Sequence, residues 1–453
     1  MTVVGVELDP YTGLAEPVQM LFWLALAVIV VSLAALVVLI SAAERMRRRA
    51  RRDAAEQRGE SYDVQAGFLW VFVVPALNER VTIGDAVQRL LEVQATHRRV
   101  LVVDDGSDDG TGDVLAGIEA DDLTVLRRDL PDARRGKASA LDAAWRHVHD
   151  VVLAAGPYAG WDPGRVVLVI VDADGRLDPR APLAVARHFL DERVGGVQAL
   201  VRIYNQTGFL TWAQNMEFAV FGRVFQLGRS LWGTANMGGN GQFNRLSALD
   251  AVAAADGGAG PWRERLTEDQ DIGIRLLQQG WRGVQEMEAT IDQQGLPGLR
   301  RLYRQRTRWA QGSWQAIRLL RGTHRSRLRG VAAVDAVLYL LTPVFQTLVG
   351  LSLALSIVLV ATDEVSLVES WPTLLFFYAL SFVPGIAGIL AARGGRGFWL
   401  AVVLAHLYLF YSWLIFPVVL RGLVREMAGR STWAKTDREE IDTVPGESLV
   451  VET

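Results

Sequence analysis

Acidic or polar clusters follow three β-rich apolar runs of this sequence, at the point where each run ends. The clusters are Pro75-Ala76-Leu77-Asn78-Glu79 after Phe68–Val74, Asp104-Asp105-Gly106-Ser107 after Val100–Val103, and Asp172-Ala173-Asp174-Gly175 after Val166–Val171. Two carboxylates in an Asp-x-Asp pattern can share a divalent cation, which then neutralises a diphosphate. Such oxygen ligands suit Mg²⁺ or Mn²⁺. One acidic loop can be an ordinary turn, whereas three at successive strand ends favour a site for a phosphorylated ligand and its metal ion.

A basic loop, Arg134-Arg135-Gly136-Lys137-Ala138, precedes a predicted helix. It lacks the spacing of a Walker P-loop, which argues against a nucleoside triphosphatase. A basic loop at a helix N-terminus can still bind phosphate, through Lys137 and through exposed backbone N–H groups. A solvated basic turn is the competing interpretation, and the loop alone does not distinguish the two.

Acidic residues recur in the segment Thr267-Glu268-Asp269-Gln270-Asp271. Thr267 can cap the helix that follows, and acids in the first turn of a helix complement its dipole. An acid in a cleft can equally act as a general base that takes a proton from an attacking hydroxyl. The local pattern is compatible with both roles.

A basic helix with the sequence Gln305-Arg306-Thr307-Arg308-Trp309 precedes the apolar C-terminal part of the chain. Its arginines can be simple membrane-proximal charge, and Trp309 can be an interfacial anchor. In the alternative interpretation, Gln305, Arg308 and Trp309 hold a diphosphate and an acceptor sugar.

The acidic clusters belong to a segment, from about Gly67 to Gln294, that resembles a soluble α/β domain. The predicted strands are Phe68–Val74, Val100–Val103, Leu123–Leu126 and Val166–Val171, and the predicted helices between them are Arg80–Val93, Asp109–Ala120 and Ala138–Val148. This alternation indicates βαβ crossovers and a mainly parallel sheet. Ligands of such sheets bind at the carboxyl ends of the strands, where the acidic clusters lie.

Four apolar runs flank this segment: Val18–Ile40, Val337–Val360, Trp371–Ala391 and Phe398–Leu420. Each is about as long as a helix needs to cross ~30 Å of hydrocarbon. A cluster of arginines between positions 45 and 52 follows the first run and favours the cytoplasmic side. We therefore expect the chain to begin outside and to hold its α/β domain in the cytosol. A cleaved signal peptide would need basic residues before the run, so a signal anchor is favoured.

The four runs leave a conflict in the membrane topology. If all of them span, the C-terminus lies outside, against the positive-inside trend, because the tail is basic. The residues concerned are Arg421, Arg425, Arg430, Lys435 and Arg438. We expect four spans, and a run that lies in the interface or is re-entrant is the alternative, since prolines in these runs permit broken helices.

The chain divides into predicted segments that follow this pattern. They are a lead at 1–16, a transmembrane helix at 17–42, a basic juxtamembrane linker at 43–66, the α/β domain at 67–294, basic interfacial helices at 295–331, transmembrane helices at 332–361, 370–392 and 397–421, and a tail at 422–453. The tail is too short for a PilZ-type regulatory module, so second-messenger gating is not expected unless a partner supplies the sensor. The chain has no cysteine, which excludes disulfides and thiolate zinc sites. No basic and aromatic surface suggests a nucleic-acid partner.

Taken in order, the Asp-Asp-Gly, Asp-x-Asp, Thr-Glu-Asp and Gln-x-x-Arg-Trp motifs resemble those of family 2 glycosyltransferases. The resemblance is to the membrane-bound group of cellulose, chitin, hyaluronan and mannan synthases, and it runs from about Phe68 to Gln315. It implies a GT-A fold, a divalent metal ion (Mg²⁺ or Mn²⁺), and inversion at the anomeric carbon, so that α-linked UDP-sugars give β-linkages. Each motif alone is weak, whereas the ordered combination is specific.

The resemblance also implies roles for individual residues on the donor side of the site. These are Pro75, Asn78 and Glu79 at the nucleoside, Asp104 or Asp105 at the uracil or ribose, Lys137 and Arg308 at the diphosphate, and Gln305 at the diphosphate or the acceptor. Asp172 and Asp174 would hold the metal ion and the nucleotide, with Asp174 favoured as the direct metal ligand.

On the acceptor side, the resemblance makes Asp269 the catalytic base. It would deprotonate the acceptor hydroxyl as that oxygen attacks C1 and the diphosphate departs opposite it. Trp309 would stack on the acceptor sugar, and Glu268, Gly239 and Asn240 would also lie beside the acceptor. The loop from Gly238 to Arg245 differs from the Phe-Phe-Cys-Gly-Ser form of cellulose synthases, which puts a cellulose product in doubt and leaves the acceptor undetermined. The segment Thr267-Glu268-Asp269-Gln270-Asp271, with Trp281 downstream, looks nearer to the mannan-synthase-like relatives.

We therefore expect a multi-pass plasma-membrane glycosyltransferase with a cytosolic catalytic domain. It would transfer a sugar from a nucleotide-sugar donor to a growing β-linked polysaccharide, with export as a coupled step. Transfer of a single sugar to polyprenyl phosphate or a glycolipid is the alternative enzyme, and an inactive membrane scaffold is the alternative from another class. Four helices are few for a polymer channel, so a homo-oligomer or an accessory export subunit is a candidate partner. The donor sugar, the linkage and the acceptor stay open.

Overall fold

The computed structural model of the protein describes residues 2–3, 6–7, 14–56, 61–362 and 371–429. The predicted tail beyond residue 429, with Arg430, Lys435 and Arg438, lies outside these residues. Positions 57–60 of the predicted linker and most of the predicted lead also lie outside them.

A sheet of eight strands forms the centre of the α/β domain. In chain order the strands are β1 (Leu69–Ala76), β2 (His97–Asp104), β3 (Leu123–Arg127), β4 (Val166–Ile170), β5 (Arg176–Leu177), β6 (Val194–Ile203), β7 (Gln242–Arg245) and β8 (Arg282–Gln293). Their spatial order is β3-β2-β1-β4-β7-β6-β8-β5. Strands β3, β2, β1 and β4 are parallel, as are β6 and β8, whereas β7 is antiparallel to both its neighbours and β5 is antiparallel to β8. The sheet is mixed and mostly parallel, which confirms the predicted fold class.

Helices cover both faces of the sheet and extend from both ends of the domain. They are α1 (Glu16–Glu56), α2 (Ser61–Ala66), α3 (Ile83–Leu91), α4 (Thr111–Ala116), α5 (Lys137–His147), α6 (Ala181–Val185), α7 (Phe209–Val220), α8 (Leu227–Ser230), α9 (Leu246–Ala255), α10 (Glu268–Gln278), α11 (Leu299–Ala316), α12 (Leu320–Arg325), α13 (Gly330–Ala361), α14 (Trp371–Ala392), α15 (Phe398–Ser412) and α16 (Ile415–Met427). Helix α3 packs on one face of the sheet, and α5, α9 and α10 pack on the other.

The central strands are apolar along their whole length because they are covered on both faces. In β1, Trp70 and Phe72 pack in the cluster that contains α3, whereas Val71 and Val73 pack in the cluster that contains α5. All four side chains are fully buried. A strand buried on both faces reads as a continuous apolar run instead of an alternating one, and this is why β1 and β4 stand out in the sequence.

Four helical segments among the described residues are long and apolar enough to cross a membrane: Glu16–Arg52, Gly330–Ala361, Leu375–Ala392 and Phe398–Met427. They overlap the four predicted spans. The last of them contains α15 and α16, which follow each other with a break near Pro417. Length and composition alone make these segments candidate spans.

The buried carboxylate of Glu286 in β8 is expected to make the stability of the protein depend on pH. Glu286 is 2% exposed, its Oε2 lies 2.6 Å from His188 Nε2, and its Oε1 accepts from the backbone N–H groups of Met287 and Glu288. Burial opposes ionisation of Glu286, but His188, Arg187 and the backbone donors outweigh it and lower its pKa from 4.5 to about 2. The shift corresponds to a contribution of about 3 kcal/mol to the stability of the folded state. This contribution is present above pH 4.5 and is lost as the pH falls toward 2.

We expect Glu286→Gln to lower the thermal midpoint in detergent at pH 7 and to flatten its fall between about pH 4.5 and 2. Glu288→Gln is the matched control, because this neighbour on β8 is 61% exposed and pairs only at the surface with Arg187. Equal midpoints for the Glu286→Gln variant and the unchanged chain across this pH range would contradict the prediction.

Candidate active site

A cavity of about 680 Å³ opens at the carboxyl ends of β1, β2 and β4. Most of the predicted site residues line it: Pro75, Glu79, Asp105, Lys137, Asp172, Asp174, Gly239, Asn240, Glu268, Asp269, Gln305, Arg308 and Trp309. Asn78 and Asp104 are not among the lining residues. Motifs separated by more than two hundred positions in the sequence therefore meet at one edge of the sheet, because parallel strands end together there.

The two aspartates at the end of β2 have different surroundings. Asp104 is 1% exposed and accepts from Arg127 Nη1 (2.5 Å) and from the backbone N–H of Ser107. Asp105 accepts from Arg128 Nη1 (2.7 Å) and lines the cavity, and burial raises its pKa. Asp105 is therefore the member of the pair placed to meet a ligand, whereas Asp104 ties the end of β2 to β3.

Asn78 shapes the loop after β1 instead of lining the cavity. It is a non-glycine residue with a positive φ of 55°, and its side chain exchanges two hydrogen bonds with Asp108, one to the carboxylate and one from the backbone N–H. Its own N–H donates to Ser107 Oγ. These bonds join the loops after β1 and β2, and Glu79, the next residue, lines the cavity.

Lys137 begins helix α5 after Gly136, whose φ of 105° suits glycine. Its Nζ donates to Asp172 Oδ1 (2.6 Å) and lies 3.5 Å from Glu268 Oε1. Burial disfavours the charge of Lys137, but the two carboxylates outweigh it and hold its pKa above the usual range. Phosphate binding by the basic loop is compatible with this geometry, since a charged lysine lies at a helix N-terminus in the cavity wall.

The Asp-x-Asp pair is held by the loop before β7 and by the end of β8. Asn240 Oδ1 accepts from the backbone N–H of Asp172 (3.1 Å), and Asn240 Nδ2 donates to Gln293 Oε1. Asp174 Oδ2 accepts from the backbone N–H of Gln294 (3.4 Å). The carboxylate oxygens of Asp172 and Asp174 suit Mg²⁺ or Mn²⁺.

Within the described ranges, no group of three or more His, Asp or Glu side chains could hold a metal ion alone.

Asp269 lies at the start of α10, with its carboxylate against the backbone of Gly239. Its Oδ1 accepts from the backbone N–H of Gln270 (2.8 Å). Burial first, and then the neighbouring charge of Glu268, raise the pKa of Asp269 to about 7. A carboxyl group with a pKa near neutrality, in a cavity beside candidate phosphate ligands, has the properties of a general base.

Gly239 gives a second prediction, because a Cβ atom there would lie 2.9 Å from Asp269 Oδ2. We expect Gly239→Ala to displace this carboxylate and to lower the turnover rate by about 10²-fold, since small misplacements of reacting groups have effects of that size. Steady-state kinetics with the nucleotide sugar that a donor screen shows to be active would measure this loss. Gly257→Ala is the matched control: Gly257 also has a positive φ (89°), but a Cβ there meets nothing within 4 Å. Equal losses in both variants would indicate backbone strain alone.

Helix α11 presents Gln305, Arg308 and Trp309 to the cavity at helical spacing. Gly312, one turn further, lets α11 pack on Thr267, where a Cβ atom would clash with the side chain. Gln315 Oε1 accepts from the backbone N–H of Leu266. Helix α11 therefore packs directly against the segment that contains Asp269.

Sequence reasoning missed residues that complete the cavity wall beside α11. Arg306 is buried, its guanidinium lies 4.1 Å from the centre of the Trp309 ring, and its Nη2 donates to Glu217 Oε2 (2.6 Å). Glu217, Phe218 and Phe221 of the helical segment after β6, and Tyr339 of α13, line the cavity, whereas Arg306 lies behind them. No motif marks the four lining residues, because they come from segments whose patterns indicate apolar or ordinary helix.

Residues 70–312 match the family described as glycosyltransferase-like family 2, which is more than half of the chain. The chain belongs to this family. The membership confirms the predicted resemblance.

Two kinds of curated relative illustrate the range of this family. The chain is 30% identical over 268 residues to a beta-monoglucosyldiacylglycerol synthase of Nostoc sp., a match covering 58% of this chain and 52% of the relative. It is 26% identical over 248 residues to a poly-beta-1,6-N-acetyl-D-glucosamine synthase of Staphylococcus aureus, covering 54% of this chain and 55% of the relative. The matched region is thus about half the length of these relatives.

Among solved structures, the fold is similar to that of a mannosyltransferase of Pyrobaculum calidifontis determined in complex with GDP-Man and Mn²⁺. The TM-score is 0.58 at 18% sequence identity, and the match covers 90% of this chain and 99% of the other. This likeness shows a shared glycosyltransferase fold, in agreement with the predicted GT-A class.

Proposed function

We propose that the protein transfers a single sugar from a nucleotide-sugar donor to a hydroxyl or phosphate oxygen of a lipid acceptor held in the membrane. The observation that carries the proposal is the composition of the cavity. Carboxylates and Lys137 line it together with three aromatic side chains, Phe218, Phe221 and Tyr339. Because Tyr339 belongs to α13, a candidate membrane helix, a lipid headgroup could reach Asp269 without leaving the bilayer surface.

In the proposed reaction, Asp269 accepts the proton of the acceptor hydroxyl as its oxygen attacks the anomeric carbon. The bond between that carbon and the donor diphosphate breaks on the opposite side, so the configuration inverts. Lys137 and Arg308 stabilise the charge that develops on the leaving diphosphate. Asp174, with Asp172, would hold a divalent ion, which when bound neutralises the diphosphate. Asp105 and Glu79 would contact the nucleoside, and Trp309 would stack on the acceptor.

Two comparisons support parts of this proposal. The beta-monoglucosyldiacylglycerol synthase of Nostoc sp. acts, by its name, on a lipid. The mannosyltransferase of similar fold was determined with a nucleotide sugar and Mn²⁺. Mg²⁺ and Mn²⁺ are equally compatible with the carboxylate pair.

Extension of a β-linked polysaccharide is the second candidate, and one observation favours it. The chain is also related to a poly-beta-1,6-N-acetyl-D-glucosamine synthase of Staphylococcus aureus. In that case the product would have to cross the membrane, through this protein's helices, an oligomer or an export subunit.

The arginine cluster at the end of α1 supports an orientation with the catalytic domain in the cytosol and the long apolar helices in the plasma membrane. This domain organisation is part of the proposal. Because nucleotide sugars are made in the cytosol, the cavity would then face its donor.

The test is a donor and acceptor screen with the full chain in nanodiscs. UDP- and GDP-sugars are supplied with Mn²⁺ or Mg²⁺, with diacylglycerol, polyprenyl phosphate or no added lipid, and nucleoside diphosphate release is followed. One sugar on a lipid, detected by mass spectrometry, would support lipid transfer, whereas a ladder of long products would support the polysaccharide candidate. No release from any donor, with native lipids present, would contradict both.

A further inference from the structure

One carboxylate in the wall of the cavity has no part in the proposed reaction. Glu217 belongs to α7, lines the cavity, and has a side chain that is 35% exposed. Its neighbour in the chain, Phe218, lines the cavity as well. Because a carboxylate in a cavity has to be hydrogen-bonded by the protein, by water or by a ligand, the partners of its two oxygens show what it can bind.

One oxygen of Glu217 is bonded to the protein. Oε2 accepts from Arg306 Nη2 (2.6 Å) and from the hydroxyl of Tyr411 (2.6 Å). Arg306 Nη2 also donates to the Tyr411 hydroxyl (3.2 Å), so the three groups bond to one another. Both partners are buried, each being 7% exposed. These bonds hold the side chain of Glu217 in one orientation, as recognition of a ligand requires.

The other oxygen of Glu217 remains available to a ligand. In the described part of the chain, no donor lies within hydrogen-bonding distance of Oε1, and this atom is not sealed from solvent. A carboxylate oxygen accepts hydrogen bonds and cannot donate them. The ligand group that meets Oε1 must therefore be a donor, such as a hydroxyl, because the oxygens of an ionised phosphate would be repelled.

Aromatic rings lie beside Glu217 in the same wall. The guanidinium of Arg306, which pairs with Glu217, lies 4.1 Å from the centre of the Trp309 ring. The rings of Phe218 and Trp309 meet edge to face at 6.3 Å, and both line the cavity. An aromatic ring next to a carboxylate suits a sugar, because the apolar face of the sugar packs on the ring while its hydroxyls donate to the carboxylate.

The candidate general base favours the same class of ligand. A sugar hydroxyl keeps its proton at neutral pH, so its attack needs a base, whereas a phosphate monoester, with a second pKa of about 6, has already lost that proton. Burial and the charge of Glu268 raise the pKa of Asp269 to about 7, which suits proton removal from a hydroxyl. Asp269 and Glu217 are thus both suited to an acceptor that carries hydroxyl groups.

We propose that Glu217 recognises the acceptor by accepting a hydrogen bond, at Oε1, from a hydroxyl other than the one that attacks. The acceptor then carries at least two hydroxyls, as a sugar headgroup does, and is neither a lipid phosphate nor a lipid with a single hydroxyl. This inference rests on the proposed function, since it narrows the acceptor of that transfer to a glycosylated lipid. Asp269 takes the proton of the attacking hydroxyl, and Glu217 takes none.

A comparison of three acceptor lipids tests the inference. The full chain in nanodiscs is supplied with the nucleotide sugar that the donor screen shows to be active, and kcat/KM is measured with glucosyldiacylglycerol, diacylglycerol and polyprenyl phosphate. The first two lipids differ only in the sugar headgroup. We expect the unchanged chain to prefer glucosyldiacylglycerol. Mass spectrometry of the product then separates a single added sugar, which identifies a glycolipid acceptor, from a ladder, which shows the same site binding the end of a growing glycan.

Glu217→Gln should lower kcat/KM for glucosyldiacylglycerol by about 10-fold and leave that for diacylglycerol almost unchanged. The amide oxygen can still accept from Arg306 and Tyr411, but the amide nitrogen in place of Oε1 leaves at best a weaker, neutral bond to the acceptor. Glu426→Gln is the matched control, because Glu426 also accepts from α11, at Gln315 and Arg318, but does not line the cavity. Its two rates should keep the ratio of the unchanged chain.

The ratio of the two rates is the deciding quantity, because damage to the fold would lower both together. An equal fall for both lipids in Glu217→Gln would therefore overturn the inference and leave Glu217 a structural role. A preference of the unchanged chain for diacylglycerol or polyprenyl phosphate, which needs no variant, would also overturn it, while leaving the proposed transfer to a lipid intact. Absence of transfer to all three lipids would contradict the proposed function and this inference together.

Discussion

Replacing Asp269 by asparagine is expected to lower the rate of sugar transfer by about 10²–10⁴-fold, the range typical of a lost general base. Asparagine keeps the shape of the side chain and can still occupy the space against Gly239, but it cannot accept the proton of the acceptor hydroxyl. The stability of the fold should not fall, because burial raises the pKa of this carboxylate, which means that its ionised form does not stabilise the folded state. We therefore expect the thermal midpoint to stay level while turnover falls.

The control for this substitution is Asp113→Asn. Asp113 also lies in the first turn of a helix, α4, and is exposed outside the cavity, so the same change of charge should leave turnover unchanged. Loss of activity in both variants would argue against a catalytic role for Asp269. So would a loss of activity in Asp269→Asn that is accompanied by a lower thermal midpoint, because unfolding would then explain it.

The pH dependence of kcat/KM separates a base from a merely structural carboxylate. With its pKa at about 7 in the free enzyme, Asp269 is protonated and inactive as a base at lower pH and ionised at higher pH. We expect kcat/KM to rise through about pH 7 and to level off above it, and the residual activity of Asp269→Asn to lack this rise.

The part of the site carried by strand ends was predictable from sequence for a physical reason. Strands such as β1 and β4 are buried on both faces, so they are visible as continuous apolar runs. Once they are taken as parallel, their carboxyl ends must meet, and the residues that follow them must share one edge. Asp105, Asp172 and Asp174 therefore converge in the cavity as predicted, and strands β1 to β4 lie close to their predicted positions.

The remaining features depend on packing that local patterns do not encode. The sequence could not decide between Asp104 and Asp105, because only the positions of Arg127 and Arg128 in the fold separate a bonded aspartate from one that lines the cavity. Strand β7 was not predicted, since Gln242–Arg245 is short and polar and becomes a strand through its neighbours. Glu217 and Tyr339 enter the site from helices whose patterns indicate burial or membrane contact alone.

Replacing Asp174 by asparagine is expected to lower turnover by about 10²-fold or more, the equivalent of several kcal/mol of lost metal and diphosphate stabilisation. Asp174 is 6% exposed, lines the cavity and is oriented by the backbone of Gln294. Asp172 Oδ1 already accepts from Lys137 at 2.6 Å, which favours Asp174 as the direct ligand. Removal of the metal with a chelator should reproduce the effect in the unchanged chain and add little in the variant.

Calorimetric titration with the nucleoside diphosphate of the active donor, with and without Mn²⁺, tests this assignment apart from turnover. Mn²⁺ should tighten binding to the unchanged chain and to Asp178→Asn, a control nearby whose carboxylate accepts from the backbone N–H of Arg180 outside the cavity. Binding to Asp174→Asn should be independent of Mn²⁺. If Mn²⁺ still tightens binding there but no longer does so in Asp172→Asn, the roles are exchanged: Asp172 is the direct ligand and its bond to Lys137 must open when the donor binds.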